Sequence, residues 1–376
     1  MKLAIDCRGL RTKPTGIPNF MVTAINGIAE QRPDWQLFLL ANDAFDEDLD
    51  RKLVRRENVH VVIEPLKGLP NYAIIWYFTK VNKIIKRINP DLFWAPAFLL
   101  PPLLPRRTKT LVTVHDLVFK RHKETMSGMN RLFFELLHDR SIRRADMLWT
   151  NSYYTKEGVE HFFKNRACRH IFTGFFINTD LFRRVALKAE EKQALLQKYK
   201  LGEKFLLFVG TLEPRKNLHF LLSLMPALAQ QGYSLLVIGA KGWGDTHVKN
   251  IVEARGYPLD RVCFAGFVET DELVKLFNMA AVYVSTSRNE GFGMPQLEAM
   301  ACGCPVVSPH NSAMIEVVEG AGETVKSWEE KDWVSMIMKV DENRQHYIGR
   351  GLQRVEEYKR EFVIKNLIEY ITANVG

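Results

Sequence analysis

Hydrophobic positions along this chain come mostly in short closed runs set between longer amphipathic stretches, and the rhythm repeats. In the first half, 3–5, 37–40, 59–63, 92–94 and 110–114 are apolar runs of the kind that fill a strand buried on both faces. The segments between them carry helical spacing. In the second half, 205–209, 234–238, 262–264, 281–285 and 306–307 take the strand role, and 217–230, 246–256, 271–279 and 294–301 the helical one. Alternation on this scale predicts an α/β chain with two doubly wound, Rossmann-like parallel sheets, one per half. The boundary is expected in the charged stretch 183–200, which gives domains of 1–185 and 200–355, and 347–370 reads as helix. A ligand at the carboxyl ends of such strands would lie in a central cleft that both domains face.

Composition sharpens this only in places. At 376 residues, 47% hydrophobic and 25% charged, the chain is globular and long enough for two cores. Five scattered cysteines fit reduced thiols, and Lys2 with Asp6 leaves no room for a secretory apolar segment after Met1, so a cytoplasmic protein is expected. Cys302-Gly303-Cys304 has no second pair at metal spacing. Charge is unevenly placed. Residues 1–200 hold 34 Lys+Arg against 21 Asp+Glu, a balance of +13, whereas 201–376 hold 18 against 22. A basic half suits an anionic membrane, a phosphate-bearing acceptor or nucleic acid. Nucleic acid has the least support, because no helix-turn-helix, zinc finger or RNA-binding aromatic signature is present.

The most informative stretch is 290–298, Glu-Gly-Phe-Gly-Met-Pro-Gln-Leu-Glu, which follows the apolar run 281–285. Pro295 suits a first helical position, and Gly291 and Gly293 allow close passage of backbone to a ligand. The N–H groups of Phe292, Gly293 and Met294 then face an anion, with Glu298 one turn below Pro295 on the same face. Spacing alone equally allows a helix-start glutamate and a solvated one. The run 287–307, from Ser287-Arg-Asn-Glu290 through Gly303-Cys-Pro-Val-Val307, resembles the signature of retaining family 4 glycosyltransferases of GT-B fold, and the wider segment 282–318 looks most like bacterial O-antigen and exopolysaccharide mannosyltransferases. That resemblance implies that Glu290 faces the donor sugar and Glu298 holds the nucleotide ribose.

The resemblance extends along most of the chain. Gly210-Thr211 to Arg215-Lys216-Asn217 opens a helix expected to be capped by Asn217, and two adjacent cations at a strand end suit a diphosphate. The family uses this basic pair on the departing nucleoside diphosphate; many members carry arginine where this chain has Thr211, which leaves open whether Arg215 takes that contact. His115, in Thr113-Val-His-Asp116, corresponds to a histidine that contacts the donor hexose. Gly16, in a loop before a helix expected near Asn19, matches the glycine loop between donor phosphate and acceptor, although Pro18 and Asn19 depart from the usual Gly-Arg. Lys241, in the glycine-rich 239–244, and Phe267-Val268 match loops that flank the nucleotide. The last helix, about 356–376, is implied to cross back onto the first domain.

Asp46-Glu-Asp48-Leu-Asp50 has the Asp-x-Asp spacing of metal-dependent transferases, but in a polar stretch it reads as a solvated helix start. No metal or other cofactor is expected, because Arg215 and Lys216 can meet the diphosphate charge. The expectation is a retaining hexosyltransferase that uses GDP-mannose and a saccharide or polyprenyl-linked acceptor. The alternatives are a UDP-sugar donor, a nucleotide-sugar epimerase and a non-catalytic nucleotide-sugar-binding protein. A nicotinamide dehydrogenase is disfavoured, since Gly-x-Gly-x-x-Gly follows neither first strand. Finally, 69–88 places Trp76, Phe78, Val81, Ile84, Ile85 and Ile88 against Lys80, Lys83, Lys86 and Arg87 at helical spacing. It reads either as an interfacial helix on an anionic membrane or as a helix packed on the sheet.

Overall fold

The computed structural model describes all residues except 13–15, 67–71, 118–119, 121–127, 169, 241–258 and 376, and leaves the side chains of 128–134 and 259 undescribed. The chain divides into two compact units, Met1–Phe176 with Arg360–Gly376, and Ile177–Lys359.

Unit 1 holds a seven-stranded sheet. Its strands are β1 (Lys2–Asp6), β2 (Gln36–Ala41), β3 (Val59–Ile63), β4 (Leu92–Ala95), β5 (Lys109–Val114), β6 (Met147–Thr150) and β7 (Ile171–Thr173), in the order β3-β2-β1-β4-β5-β6-β7. Every pairing is parallel. Unit 2 repeats the winding with β8 (Phe205–Val209), β9 (Ser234–Ile238), β10 (Val262–Gly266), β11 (Val282–Val284), β12 (Val306–Pro309) and β13 (Glu323–Val325), ordered β10-β9-β8-β11-β12-β13 and again parallel. Apart from Lys2 and Val209, residues of β1, β4, β8, β9, β11 and β12 are buried, as a sheet covered by helices on both faces requires. In each sheet the strand order reverses between the first and fourth strands of the unit. That reversal splays the loops apart and opens a crevice at the strands' carboxyl ends.

Helices fall where the periodicity put them, with three differences. The expected helix 217–230 is two, Leu218–Ser223 and Met225–Gln230, because Pro226 enters early in the second. The helix over 347–370 is also two, Arg344–Glu356 and Arg360–Val375. The first helix begins at Gly16 rather than near Asn19. The candidate helix 246–256 lies outside the described residues.

The boundary expected at 183–200 needs correction. That stretch belongs to unit 2, where the Val185 N–H donates to Asn278 Oδ1 at 2.9 Å and Lys198 Nζ meets Glu272 at 2.6 Å. Charged residues there are anchors of a packed segment, not a linker. Arg360–Val375 counts with unit 1, where Arg360 pairs with Glu30 at 3.1 Å and Ile364 packs closely over Gly27, its Cγ1 3.0 Å from where a Cβ would stand.

Of the two readings of 69–88, the apolar stripe of the described part follows the one in which the helix packs on the sheet. Helices Ala73–Thr79 and Val81–Ile88 turn Trp76, Val81, Ile84 and Ile85 into the unit 1 core, so the apolar stripe packs on the sheet. Lys83, Lys86 and Arg87 stay exposed, Arg87 in an ion pair with Glu64, and Tyr72, Ile74 and Ile75 are exposed as well. Asp46 caps helix Glu47–Lys52, accepting from the N–H groups of Asp48 and Leu49, as the solvated-start reading expects. None of the five cysteines forms a disulfide. No helix among the described residues is long and apolar enough to cross a membrane.

Candidate active site

Two loops leave the carboxyl ends of β8 and β11, the neighbouring strands at the switch point of unit 2, and they bring the principal candidates together. After β8, Gly210–Glu213 leads into a 3-10 turn, Pro214–Lys216. Asn217 follows at φ 52° and precedes helix Leu218–Ser223; its side chain makes no capping hydrogen bond, so it serves the turn through a left-handed backbone. The expected side-chain cap is therefore not made. Beside this loop, Gly239 at the end of β9 cannot be replaced, since a Cβ there would fall 1.9 Å from the Gly210 carbonyl oxygen.

After β11, residues 285–293 run to helix Met294–Ala301. Gly293 precedes the helix at φ 107°, in the region that favours glycine. Met294 is the first helical residue, so Pro295 is second and Glu298 fifth, one position later than the sequence suggests. Glu298 still lies a turn below the helix start, on the face of Met294.

Between the loops stands an ion cluster. Glu290 Oε2 accepts from Arg215 Nη1 at 2.8 Å, and Glu290 Oε1 accepts from Lys216 Nζ at 2.5 Å and Ser287 Oγ at 2.6 Å. Arg215 also donates to the Asn289 carbonyl at 2.6 Å and to Glu213 Oε1 at 2.9 Å. The three side chains Arg215, Lys216 and Glu290 are 20%, 13% and 13% exposed, so the interactions are only weakly screened. Burial alone would raise the Glu290 carboxyl. The charges of Lys216 and Arg215, with hydrogen bonds from Lys216 and Ser287, outweigh it and hold the group at about 2. The four charges of Glu213, Arg215, Lys216 and Glu290 cancel, so the two cations are already engaged.

Glu298 is the opposite case. Among the described residues its carboxylate has no hydrogen bond or ion pair, and burial pushes it up from 4.5 to about 7. An ionised or half-ionised carboxyl without partners suits neutral hydroxyl donors.

In unit 1, His115 follows β5, buried, with Nε2 2.7 Å from the Pro96 carbonyl oxygen. A carbonyl only accepts, so Nε2 carries the proton. Burial lowers the ring to about 4, so it is neutral near pH 7 and its Nδ1 is an acceptor. Edge contacts from Phe20 and Phe98, at 5.1 and 5.8 Å between ring centres, fix its plane. Gly16 begins helix Gly16–Gln31 in open space, with no steric demand for glycine.

Of the remaining candidates, Thr211 is exposed, Phe267 is 69% exposed just after β10, and Val268 is buried. Gly291, Phe292, Gly293 and Met294 lie on the turn into the helix, where Phe292 is buried against Tyr358. Lys241 lies outside the described residues. No group of three or more His, Cys, Asp or Glu among the described residues is placed to hold a metal ion.

Sequence reasoning did not single out Glu213, Ser287, Asn311 or Ser312. The Glu290 N–H donates to Ser312 Oγ at 3.1 Å, and Asn311 Nδ2 donates to the Ser287 carbonyl at 3.4 Å. Glu213 and Ser287 lie within the quoted motifs. Asn311 and Ser312 come from the loop after β12 and carry no local signal.

Residues 190–360 match the family described as Glycosyl transferases group 1, and residues 15–175 match Glycosyltransferase Family 4. The O-antigen chain mannosyltransferase B of Escherichia coli is 31% identical over 279 residues, 72% of this chain and 71% of that protein. The O-antigen chain mannosyltransferase RfbU of Salmonella typhimurium is 25% identical over 303 residues, 79% of this chain and 78% of that protein. Among solved structures, HepE of Anabaena in complex with UDP and glucose superposes with a TM-score of 0.72 at 19% identity, covering 99% of this chain and 100% of that one. WaaG, a glycosyltransferase involved in lipopolysaccharide biosynthesis, gives 0.71 at 13% identity, covering 99% and 100%. With two parallel Rossmann-like sheets of GT-B type and these matches, the chain belongs to glycosyltransferase family 4.

Proposed function

We propose that this glycosyltransferase is a retaining hexosyltransferase that moves mannose from GDP-mannose to a hydroxyl of a saccharide or lipid-linked saccharide. The observation that carries the reading is the Arg215–Lys216–Glu290 cluster at the switch point of unit 2, with Glu298, which has no partner among the described residues, a turn into the adjoining helix. Mannose rests on the names of the O-antigen mannosyltransferases above.

In this reading Glu298 accepts from the ribose hydroxyls, which supply the partners it lacks among the described residues. The diphosphate approaches the first-turn N–H groups of helix Met294–Ala301 and draws Arg215 and Lys216 into shared contacts. As the sugar–phosphate bond lengthens, charge moves onto the leaving oxygen, where such preorganised donors are each worth ~3–4 kcal/mol. Glu290, held ionised, stabilises the positive charge that develops at the sugar carbon, and the acceptor hydroxyl attacks from the face the diphosphate leaves. In unit 1, the neutral His115, with Nδ1 as an acceptor, is suited to a hydroxyl donor. No metal takes part, the two cations meeting the diphosphate charge.

Consumption of a panel of nucleotide sugars, with and without a polyprenyl-linked acceptor, tests this reading. GDP-mannose should be used in preference to UDP-glucose, with an α-linked product by NMR and full activity in EDTA. A β-linked product would overturn the retaining assignment. Loss of transfer on chelation, restored by manganese or magnesium, would overturn the metal-free one.

The basic unit 1 suggests peripheral attachment to an anionic membrane through the exposed Lys83 and Lys86 and the exposed Tyr72, Ile74 and Ile75, each basic residue adding up to ~1 kcal/mol near such a surface.

A further inference from the structure

Ser312 stands in an unusual backbone state for its residue type. Its φ is 49°, in the left-handed region that glycine enters freely and serine enters only when the surroundings hold it there. The surroundings are specific. Ser312 Oγ accepts from the Glu290 N–H at 3.1 Å and donates its own hydrogen to Asn311 Oδ1 at 2.9 Å. The next residue, Ala313, donates its N–H to the Glu290 carbonyl oxygen at 3.4 Å, and Asn311 Nδ2 donates to the Ser287 carbonyl at 3.4 Å. The loop after β12 thus holds the loop after β11 at three backbone points, two of them on Glu290 itself.

This second hold matters because of what happens to the first. The Glu290 carboxylate is gripped by Arg215, Lys216 and Ser287. In the function proposed above, on which this inference rests, a diphosphate takes a share of Arg215 and Lys216. The side-chain grip then loosens at the moment when Glu290 must stay beside the sugar carbon. Its backbone bonds involve no cation and are untouched by the diphosphate. We propose that Ser312 is a positioning residue that fixes Glu290 through its backbone N–H once the donor has engaged Arg215 and Lys216. Asn311 orients the serine hydroxyl by accepting its hydrogen, which leaves a lone pair directed at the Glu290 N–H.

The test uses Ser312→Gly, which removes the hydroxyl and relieves the left-handed backbone. For a residue that merely shapes the loop, that change is neutral or stabilising. Here it should lower kcat by ~10- to 100-fold, the range expected when a reacting group loses its alignment. GDP affinity by calorimetry and the melting temperature should hold. Asn311→Ala should show the same pattern in milder form. In a Glu290→Gln background, Ser312→Gly should add little further loss, because it acts through the residue already removed.

An unchanged kcat for Ser312→Gly, a loss confined to GDP affinity, or an equal further loss in the Glu290→Gln background would each overturn the proposal. If Glu290→Gln itself keeps full turnover, it is the reading of Glu290 that fails, and the two failures are thereby told apart.

Discussion

Glu290 and Glu298 sit eight residues apart, on the loop after β11 and on the helix that follows it, and their surroundings are inverted. Glu290 has three side-chain donors and is held at about 2; Glu298 has none among the described residues and is pushed up to about 7. Burial acts on both in the same direction, so the difference comes from the loop after β8, which delivers Arg215 and Lys216 to one glutamate and nothing to the other. A group already neutralised by protein cations needs no ligand charge and is suited to a site where charge develops. A buried carboxyl without partners gains most from a ligand that donates neutral hydrogen bonds.

The largest expected effect breaks the first half of that comparison. Glu290→Gln should cut turnover by two or more orders of magnitude in steady-state transfer, since the amide carries no charge to set against a developing cation. Retention of more than a tenth of wild-type kcat would remove Glu290 from the chemistry.

Next come the cations. Arg215→Ala and Lys216→Ala should each lower transfer strongly. The cluster also predicts a cost in stability. Each change leaves the buried Glu290 with fewer partners, worth on the order of 1–3 kcal/mol in denaturant unfolding. The Glu290 carboxyl should then rise from about 2, carrying the acid limb of the pH–rate profile to higher pH.

A smaller effect concerns pH and Glu298. With its carboxyl raised from 4.5 to about 7, the folded chain binds a proton that the unfolded chain has lost. Stability should therefore fall as pH rises through that window, by on the order of 2 kcal/mol after allowance for solvent at its partly exposed surface. Glu290 has the reverse sign, its contribution present above 4.5 and lost only as pH falls towards 2. Glu298→Gln should remove the loss between pH 4.5 and 7; an unchanged pH profile would contradict the assignment of the raised carboxyl. The smallest effect is at the surface of unit 1. Sedimentation with phosphatidylglycerol vesicles at low salt, reversed by high salt, is expected, and no binding at low ionic strength would remove the membrane proposal without touching the two glutamates.

Much of the fold was legible because strands buried on both faces must be apolar throughout, as 205–209 and 234–238 are. Ile171–Thr173 and Glu323–Val325 escaped because polar residues interrupt strands of only three positions, whereas Met147–Thr150 carries an apolar run as long as that at 92–94 and was passed over. The stripe over 76–88 was visible, but its partner was not. A face meant for the sheet and a face meant for lipid have the same periodicity, and only tertiary packing separates them. At the site, Glu290, Arg215 and Lys216 stood out through glycine, proline and charge in short motifs. That they neutralise one another was hidden, because 74 residues separate Lys216 from Glu290 along the chain. Ser312 and Asn311 were hidden for the same reason.

Calorimetric titration of GDP into the Glu290→Gln and Glu298→Ala variants tests the division of roles most directly. The account predicts that Glu290→Gln keeps nucleotide affinity within a few-fold of wild type, while Glu298→Ala weakens it by ~1–3 kcal/mol as ribose hydroxyls lose their acceptor. Equal loss of affinity in the two variants, or a loss confined to Glu290→Gln, would contradict it.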